Sequence, residues 1–420
     1  MNADGRPSTR FRMTLPVIAS ILGNIIEYYD FVIYASFSSS IGQTFFPAGL
    51  AFSQIALTLA TFGFTLLARP VGAVVLGICT DRRGRTFTMI LCIALMAIGS
   101  LLITFTPGYQ SIGMAAPLLI VTARLLHGFS LGGEFGSATS FLIEQAPGHE
   151  ARAASWQAIG QIVASLAAAI VTLSLTLLLP AQSFDSYGFR IAAGLGALAG
   201  LLALVLRFRL IRTRPSSPVA KVIAPSPFLR RENLLRTLAV IGAVALGSGI
   251  TYLGIYMPHY ARLHFHVAAR LAYASALLTY GGQLVFTPLR WKLADYFDRT
   301  RSITPMLLSC ALLFCLPWPM FRLVSIWPQS ILVMPLLFNV TGLLYFAALD
   351  GFIGLLFPDR LRGRGLTIGY SFGVVLFGGL APLTNAALMS WSGTEQAPAF
   401  YLGLTALISA SAIFGARRLL

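Results

Sequence analysis

The sequence is dominated by apolar runs of about 20 residues, which follow one another along almost the whole chain. An α-helix rises about 1.5 Å per residue, so each run is long enough to cross the roughly 30 Å hydrocarbon core of a bilayer. The sequence therefore predicts an all-α polytopic membrane protein with twelve transmembrane helices. The predicted helices cover residues 14–40, 52–79, 87–106, 114–141, 152–179, 190–210, 235–258, 268–289, 302–321, 331–357, 365–389 and 398–415.

Charged residues make up only 10% of the chain, whereas soluble domains average roughly 25%. The formal net charge of +16 could indicate a nucleic-acid partner, but the lysines and arginines fall in alternate loops between the apolar runs. Cytoplasmic loops of membrane proteins are enriched in Lys and Arg. The alternation therefore predicts that both termini are cytoplasmic, and it argues against nucleic acid as a partner.

A basic stretch that contains several prolines separates the sixth predicted helix from the seventh and is typical of a linker. We expect a cytoplasmic tail at 1–13, a six-helix bundle at 14–211, a linker at 212–233 and a second six-helix bundle at 234–420. The first apolar run is too long for a cleavable signal peptide and lacks a small-residue cleavage site, so we expect an uncleaved anchor. The four cysteines form no CxxC pair, and we expect no metal site, disulfide or cofactor.

The fourth predicted helix carries Arg124, His127 and Glu134 within its apolar run. Such groups cost roughly 2.5–3.5 kcal/mol each at the centre of a membrane helix, so they are candidates for function by default. The alternative is that Arg124 and Glu134 only pair with other helices. The same helix has glycine at every fourth position, which leaves a stripe where a neighbouring backbone can approach closely: Gly128, Gly132 and Gly136.

The first and second predicted helices also hold charged residues. Glu27 and Asp30 share one face of the first helix, and two buried like charges favour protonation of one of them, as a proton-coupling site requires. Alternatively, one carboxylate only neutralises Arg124, which lies at the same depth as Asp30, roughly 15 Å from the outer end. In the second helix, Arg69 precedes Pro70 and can either bind an anion or satisfy a carbonyl that the kink frees.

The turn after the second predicted helix has the pattern Gly-x-x-x-Asp-Arg-x-Gly-Arg, which resembles the cytoplasmic signature of the major facilitator superfamily. A degenerate copy occupies 293–301, displaced by about half the chain. The aspartate can cap a neighbouring helix and the arginines can reach Glu144, so the motif predicts a gating latch; the alternative is a solvated basic turn. The latch candidates are Gly77, Asp81, Arg82, Gly84, Arg85 and Glu144.

Further segments narrow the resemblance. The stretches 23–31, 124–136, 189–191 and 377–382 resemble those of metabolite–proton symporters within the superfamily. The stretches 44–47, 69–85 and 107–113 are most similar to bacterial citrate–proton symporters and their tricarballylate relatives. The sequence departs from the pattern of this group at two places. His127 stands where the group usually has glutamine. The stretch 355–358 lacks the carboxylate that the group usually has just before the proline, although Asp350 is nearby. The resemblance implies a functional monomer in the bacterial inner membrane.

We therefore expect a secondary active transporter that moves a small organic acid together with protons by alternating access, with citrate as the best candidate. Arg124, Arg69 and His127 are the expected anion-binding residues, because guanidinium pairs bidentately with carboxylate. Asp30, Glu27 and Glu134 are the candidates for proton coupling. Further polar groups that can line the cavity lie in the second half: Tyr256, His259, Tyr280, Gln283, Asn339, Asp350, Tyr370 and Asn385.

Three other functions remain open. A symporter for a zwitterionic osmolyte such as betaine or proline shares the first-helix signature, and a drug–proton antiporter shares the latch. An intramembrane enzyme is poorly supported, because the sequence contains no HExxH zinc-binding motif. No phosphate-binding loop is present, which argues against ATP as the driving force within this chain.

Overall fold

The computed structural model describes residues 15–47, 54–83, 85–144, 150–211, 231–357 and 368–419. Over these ranges the chain is helical and no strand is assigned. We label the twelve long helices in chain order: α1 Leu15–Ser36, α2 Gln54–Arg83, α3 Arg85–Phe105, α4 Ala115–Glu144, α5 Glu150–Leu178, α6 Phe189–Ile211, α7 Arg231–His264, α8 Ala269–Thr300, α9 Thr304–Cys315 continued by Pro317–Ile326, α10 Met334–Leu355, α11 Ile368–Gly379 continued by Leu383–Ser392, and α12 Ala397–Ala416.

Short helical segments connect or extend the long helices. They are Ser38–Phe45, Tyr109–Ile112, Ala181–Ser183, the π-helical turn Phe184–Gly188, and the 3-10 turns Pro328–Leu332 and Arg417–Leu419. Eight described helices are long and apolar enough to cross a membrane, and nine if the two parts of α11 count as one span.

Each predicted segment overlaps one of the twelve helices, so the all-α prediction is confirmed. The largest differences are at helix ends: α7 extends to His264 and α8 to Thr300, beyond the predicted ends at 258 and 289. The extra turns are polar. Because the predicted helices cover apolar runs, they end where the apolar residues end. The predicted linker at 212–233 lies almost entirely outside the described residues.

Proline and glycine interrupt two of the predicted helices. The break in α9 comes directly before Pro317, whose ring cannot continue the hydrogen-bond ladder. The two parts of α11 meet at 42°, after a π-helical turn that contains Gly378 and Gly379 and next to Pro382. The bend lies where α11 contacts α2: a Cβ at Gly63 would lie 3.6 Å from the Gly379 carbonyl oxygen.

Close backbone contact joins α2 to α4. A Cβ added at Gly128 would overlap the backbone of Thr65, and one added at Gly132 would overlap the backbone at Arg69. Gly72 of α2 likewise faces the backbone of Phe129. The glycine stripe is therefore confirmed at Gly128 and Gly132, and it brings α2 close enough to α4 to fix the positions of their buried charged residues.

The first six helices contact the last six near the middle of α1 and at its end. Near the middle, the ring of Phe31 meets that of Tyr252 of α7 edge-on at a centroid distance of 5.3 Å. At the end, the Tyr273 hydroxyl of α8 donates to the Ser36 carbonyl oxygen at 3.4 Å and accepts from Arg262 of α7 at 2.9 Å. These contacts close the bundle at the end where α1 and α7 finish.

Candidate substrate and proton site

Three ionisable side chains predicted to act together lie in one buried cluster between α1, α3 and α4. Arg124 is 0% exposed, and Asp30 and His127 are each 5% exposed. Asp30 lies within electrostatic reach of Arg124. Burying charges in a membrane protein is costly unless they are paired or hydrogen-bonded, so their partners determine what the cluster can do.

The partners form a hydrogen-bonded chain from Asp30 to Arg124. Ser100 of α3 donates its hydroxyl hydrogen to Asp30 Oδ2. His127 Nε2 lies 3.3 Å from Ser100 Oγ and 3.1 Å from the Met96 carbonyl oxygen, while its Nδ1 lies 3.3 Å from Arg124 Nη1. A carbonyl only accepts and a guanidinium only donates, so these partners assign the neutral ring with its hydrogen on Nε2.

Aromatic rings supply further stabilisation of the Arg124 guanidinium. Its central carbon lies 4.0 Å from the centroid of the Tyr34 ring and 5.8 Å from that of Phe31. The Tyr34 hydroxyl in turn lies 2.5 Å from Thr61 Oγ1 of α2, which fixes the ring. A desolvated cation over a ring is stabilised by about 2 kcal/mol or more, so Arg124 can remain charged inside the bundle.

A small cavity borders the cluster. Its volume is about 10 Å³, about the space that one water molecule needs, and far too small for an organic acid. The lining includes Asp30, Tyr34, Ser100, His127, Phe189 and Ala193. In this conformation the cluster is therefore almost dry, and any substrate that contacts it needs the helices to move apart.

Arg69 lies in a second buried cluster, between the first six and the last six helices. It is 5% exposed, and its guanidinium carbon lies 5.5 Å from the centroid of the Tyr370 ring of α11. Tyr28 of α1 and Tyr252 of α7 are buried within its electrostatic reach, and Tyr280 of α8 lies near Tyr28. We call Arg69 with these four tyrosines the interface cluster.

The sequence alone does not indicate that Tyr28 and Tyr252 belong to a site. A tyrosine in an apolar helix gives no periodic signal, and these two meet only because α1 packs against α7. Tyr280 and Tyr370, in contrast, were among the polar groups expected to line a cavity. The interface cluster offers one cation and four hydroxyl groups, all of which can donate to a carboxylate.

The other predicted site residues have different surroundings. Glu27 is buried one turn before Asp30 on α1. Tyr256 packs with His259 and Tyr260, at ring-centroid distances of 5.3 and 6.0 Å, near the end of α7. Gln283 is half-buried on α8. The following candidates lie outside the residues whose surroundings are described, and their roles stay predictions: Gly77, Asp81, Arg82, Gly84, Arg85, Glu134, Glu144 and Asp350.

Comparison with known proteins identifies the class to which this fold and this buried site belong. The family model for the Major Facilitator Superfamily matches residues 14–382. The chain therefore belongs to this superfamily of membrane transporters and is not an enzyme. A crystal structure of a D-xylose–proton symporter superimposes with a TM-score of 0.75 at 17% identity, covering 94% of this chain and 96% of that one, which confirms the predicted fold.

Sequence relatives narrow the similarity further. The chain is 30% identical to the citrate-proton symporter of Salmonella typhi over 98% of its own length and 95% of the relative. It is 30% identical to the α-ketoglutarate permease of Escherichia coli K12, covering 94% and 91% of the two chains. It is 29% identical to a putative proline/betaine transporter of Staphylococcus aureus, covering 93% and 85%.

Proposed function

We propose that the protein is a proton-coupled symporter of a small organic acid, a di- or tricarboxylate with citrate as the best candidate. The observation that carries this proposal is the fully buried Arg124, joined to the carboxylate Asp30 by hydrogen bonds inside the bundle. The relatives named for citrate and α-ketoglutarate support a carboxylate substrate, and the proton coupling of the citrate symporter supports coupling here.

Charge balance at Arg124 explains why the proton and the anion would bind together. With Asp30 ionised, its negative charge compensates Arg124, because His127 is neutral. Protonation of Asp30 removes that negative charge from a low-dielectric environment around Arg124, so an anion binds more tightly. Anion binding likewise favours the protonated state of Asp30, because the linkage is reciprocal. Proton and anion therefore bind together, as symport requires. Glu27 and Glu134 remain the other candidates for the proton.

The interface cluster supplies the second anion contact in this proposal. It lies between the first and last six helices, where rocking of two bundles, 14–211 against 234–420 about the linker 212–233, would expose it to either side in turn. We infer that the latch residues close the cytoplasmic side of the site. Asp350, Gln283 and Tyr256 are the candidates for lining the cavity from the second bundle. The protein would work as a monomer in the inner membrane with both termini cytoplasmic.

A zwitterionic osmolyte is the second candidate substrate, because tyrosine rings surround the single cation of the interface cluster. The carboxylate of betaine could pair with Arg69 while its quaternary ammonium contacts the rings of Tyr252 and Tyr370. The relative named for proline and betaine supports the same alternative.

Uptake into proteoliposomes tests the proposal. We expect labelled citrate to accumulate when an inward proton gradient is imposed and to stop accumulating when a protonophore is added. Betaine and α-ketoglutarate are tested in the same vesicles. Accumulation of betaine alone would replace the organic acid with an osmolyte, and gradient-independent uptake of every compound would contradict proton coupling.

A further inference from the structure

We propose that Ser100 and His127 are positioning residues that transmit the protonation state of Asp30 to Arg124. The inference rests on the proposed function in that Asp30 carries the proton and Arg124 binds the anion. It goes further because it assigns a route, across three helices, through two side chains that carry no charge. The route is the chain of hydrogen bonds Asp30–Ser100–His127–Arg124.

Every hydrogen bond in this chain points toward Asp30. Arg124 donates to His127 Nδ1, the Nε2–H of His127 is shared between the Met96 carbonyl and Ser100 Oγ, and Ser100 donates to the carboxylate. A chain of donors aimed at one acceptor is stabilised by the negative charge at its end. Loss of that charge therefore weakens the first bond and, through it, each of the others.

Ser100 has a second acceptor within reach, which makes it a two-position element. Its Oγ lies 3.1 Å from the Met96 carbonyl oxygen, one turn earlier on α3. When Asp30 becomes protonated it can itself donate to Ser100 Oγ, and the serine hydroxyl then turns to Met96. That carbonyl is also the acceptor for His127 Nε2. The change at Asp30 thereby reaches the bond that holds the imidazole.

The surroundings of His127 keep its ring in place to relay this change. The ring lies against Gly99, and a Cβ added there would overlap its Cδ2 and Nε2 atoms. With one nitrogen on Met96 and the other on Arg124, the imidazole has no nitrogen left for substrate. We therefore assign His127 to positioning Arg124 and not to direct binding of the anion.

Few other ionisable groups face Asp30 from the helices packed against it. Arg124 and His127 face it from α4, and Glu27, Tyr29 and Tyr34 belong to its own helix. From α6, Phe189 and Ala193 line the same small cavity as Asp30, and a Cβ added at Gly196 would overlap its carboxylate. Within the described residues, the proton on Asp30 thus acts on Arg124 both directly, through the loss of its charge, and through the chain of hydrogen bonds.

Two measurements test the relay, and the first needs no substrate. The protein, labelled with ¹⁵N-histidine, is placed in lipid bilayers, and the His127 signal is assigned by its loss in His127→Gln. We expect the wild-type Nε2 resonance to move with pH while the ring stays neutral. Asp30→Asn and Ser100→Ala should both abolish that movement. A movement that persists in Ser100→Ala, or none in the wild type, would overturn the proposal.

The second measurement compares exchange with accumulation in proteoliposomes, using citrate, or betaine if only betaine is transported. Ser100→Ala should retain counterflow exchange within about threefold and lose about tenfold or more of proton-driven accumulation, the loss that a hydrogen bond to a charged group represents. Ser100→Thr, which keeps the hydroxyl, should restore it. Equal losses of exchange and accumulation in Ser100→Ala would indicate a merely structural role.

Ser130→Ala is the matched control. Ser130 is also fully buried between α3 and α4, and its hydroxyl donates to the Cys92 carbonyl at 2.9 Å, outside the relay. It should keep both exchange and accumulation. If Ser130→Ala uncouples transport as Ser100→Ala does, any buried serine at this helix pair has that effect and the relay is refuted. A failure to transport citrate would leave the magnetic resonance result unaffected.

Discussion

Replacing Gly128 by alanine adds one methyl group to a contact that has no space for it. The new Cβ would overlap the backbone of Thr65 on α2, and backbone atoms cannot turn aside as a flexible side chain can. The two helices must therefore move apart. Overpacking of this kind costs about 1–3 kcal/mol, and more where backbone shifts are needed. Because α4 also carries Arg124, the displacement should reach the buried site.

Thermal unfolding of the purified protein, followed by tryptophan fluorescence, measures the effect. We expect Gly128→Ala to lower the melting temperature by about 1–3 °C. The control is Gly194→Ala on α6, where the Cβ would lie at an ordinary 3.5 Å from Thr104 Cγ2. Because alanine favours helix over glycine, the control should melt at the wild-type temperature or slightly above it. Identical melting of the two variants would refute the close packing of α2 on α4.

Three further substitutions test the buried charges. Arg124→Lys keeps the charge but loses the planar group that stacks on Tyr34. The KM for counterflow exchange should therefore rise about 10- to 100-fold. An unchanged KM would argue against anion binding at Arg124. Arg69→Gln should raise the same KM by about tenfold or more, and wild-type exchange would remove Arg69 from the substrate site. Gly99→Ala should push the His127 ring aside and reduce accumulation more than exchange, and equal reductions would contradict its place beside the relay.

The helices and the glycine stripe could be predicted because their signals are local. An apolar run of about 20 residues indicates a membrane helix without reference to the rest of the chain. Glycine at every fourth position likewise indicates a close contact, although not the partner helix, which the structure shows to be α2. The common depth of Asp30 and Arg124 allows them to pair, and the structure places Asp30 within electrostatic reach of Arg124.

The connection between those two residues could not be predicted in the same way. Ser100 is a single serine in the apolar helix α3, and serines in such helices commonly bond only to the carbonyl one turn earlier. Its second role depends on how α1 and α4 pack around α3, which is set by contacts far apart in sequence. Tyr252 joins the interface cluster for the same reason. The break before Pro317, in contrast, has a local signal, the proline itself. The continuous apolar run around it nevertheless predicts a single unbroken helix.

The most direct test of the central claim compares wild-type protein with Asp30→Asn in proteoliposomes loaded for citrate counterflow and for proton-driven uptake. Asparagine keeps a hydrogen-bond acceptor for Ser100 but cannot take up a proton. We predict that Asp30→Asn exchanges citrate and no longer accumulates it when an inward proton gradient is imposed. Accumulation by Asp30→Asn at the wild-type level would contradict the assignment of the proton to Asp30.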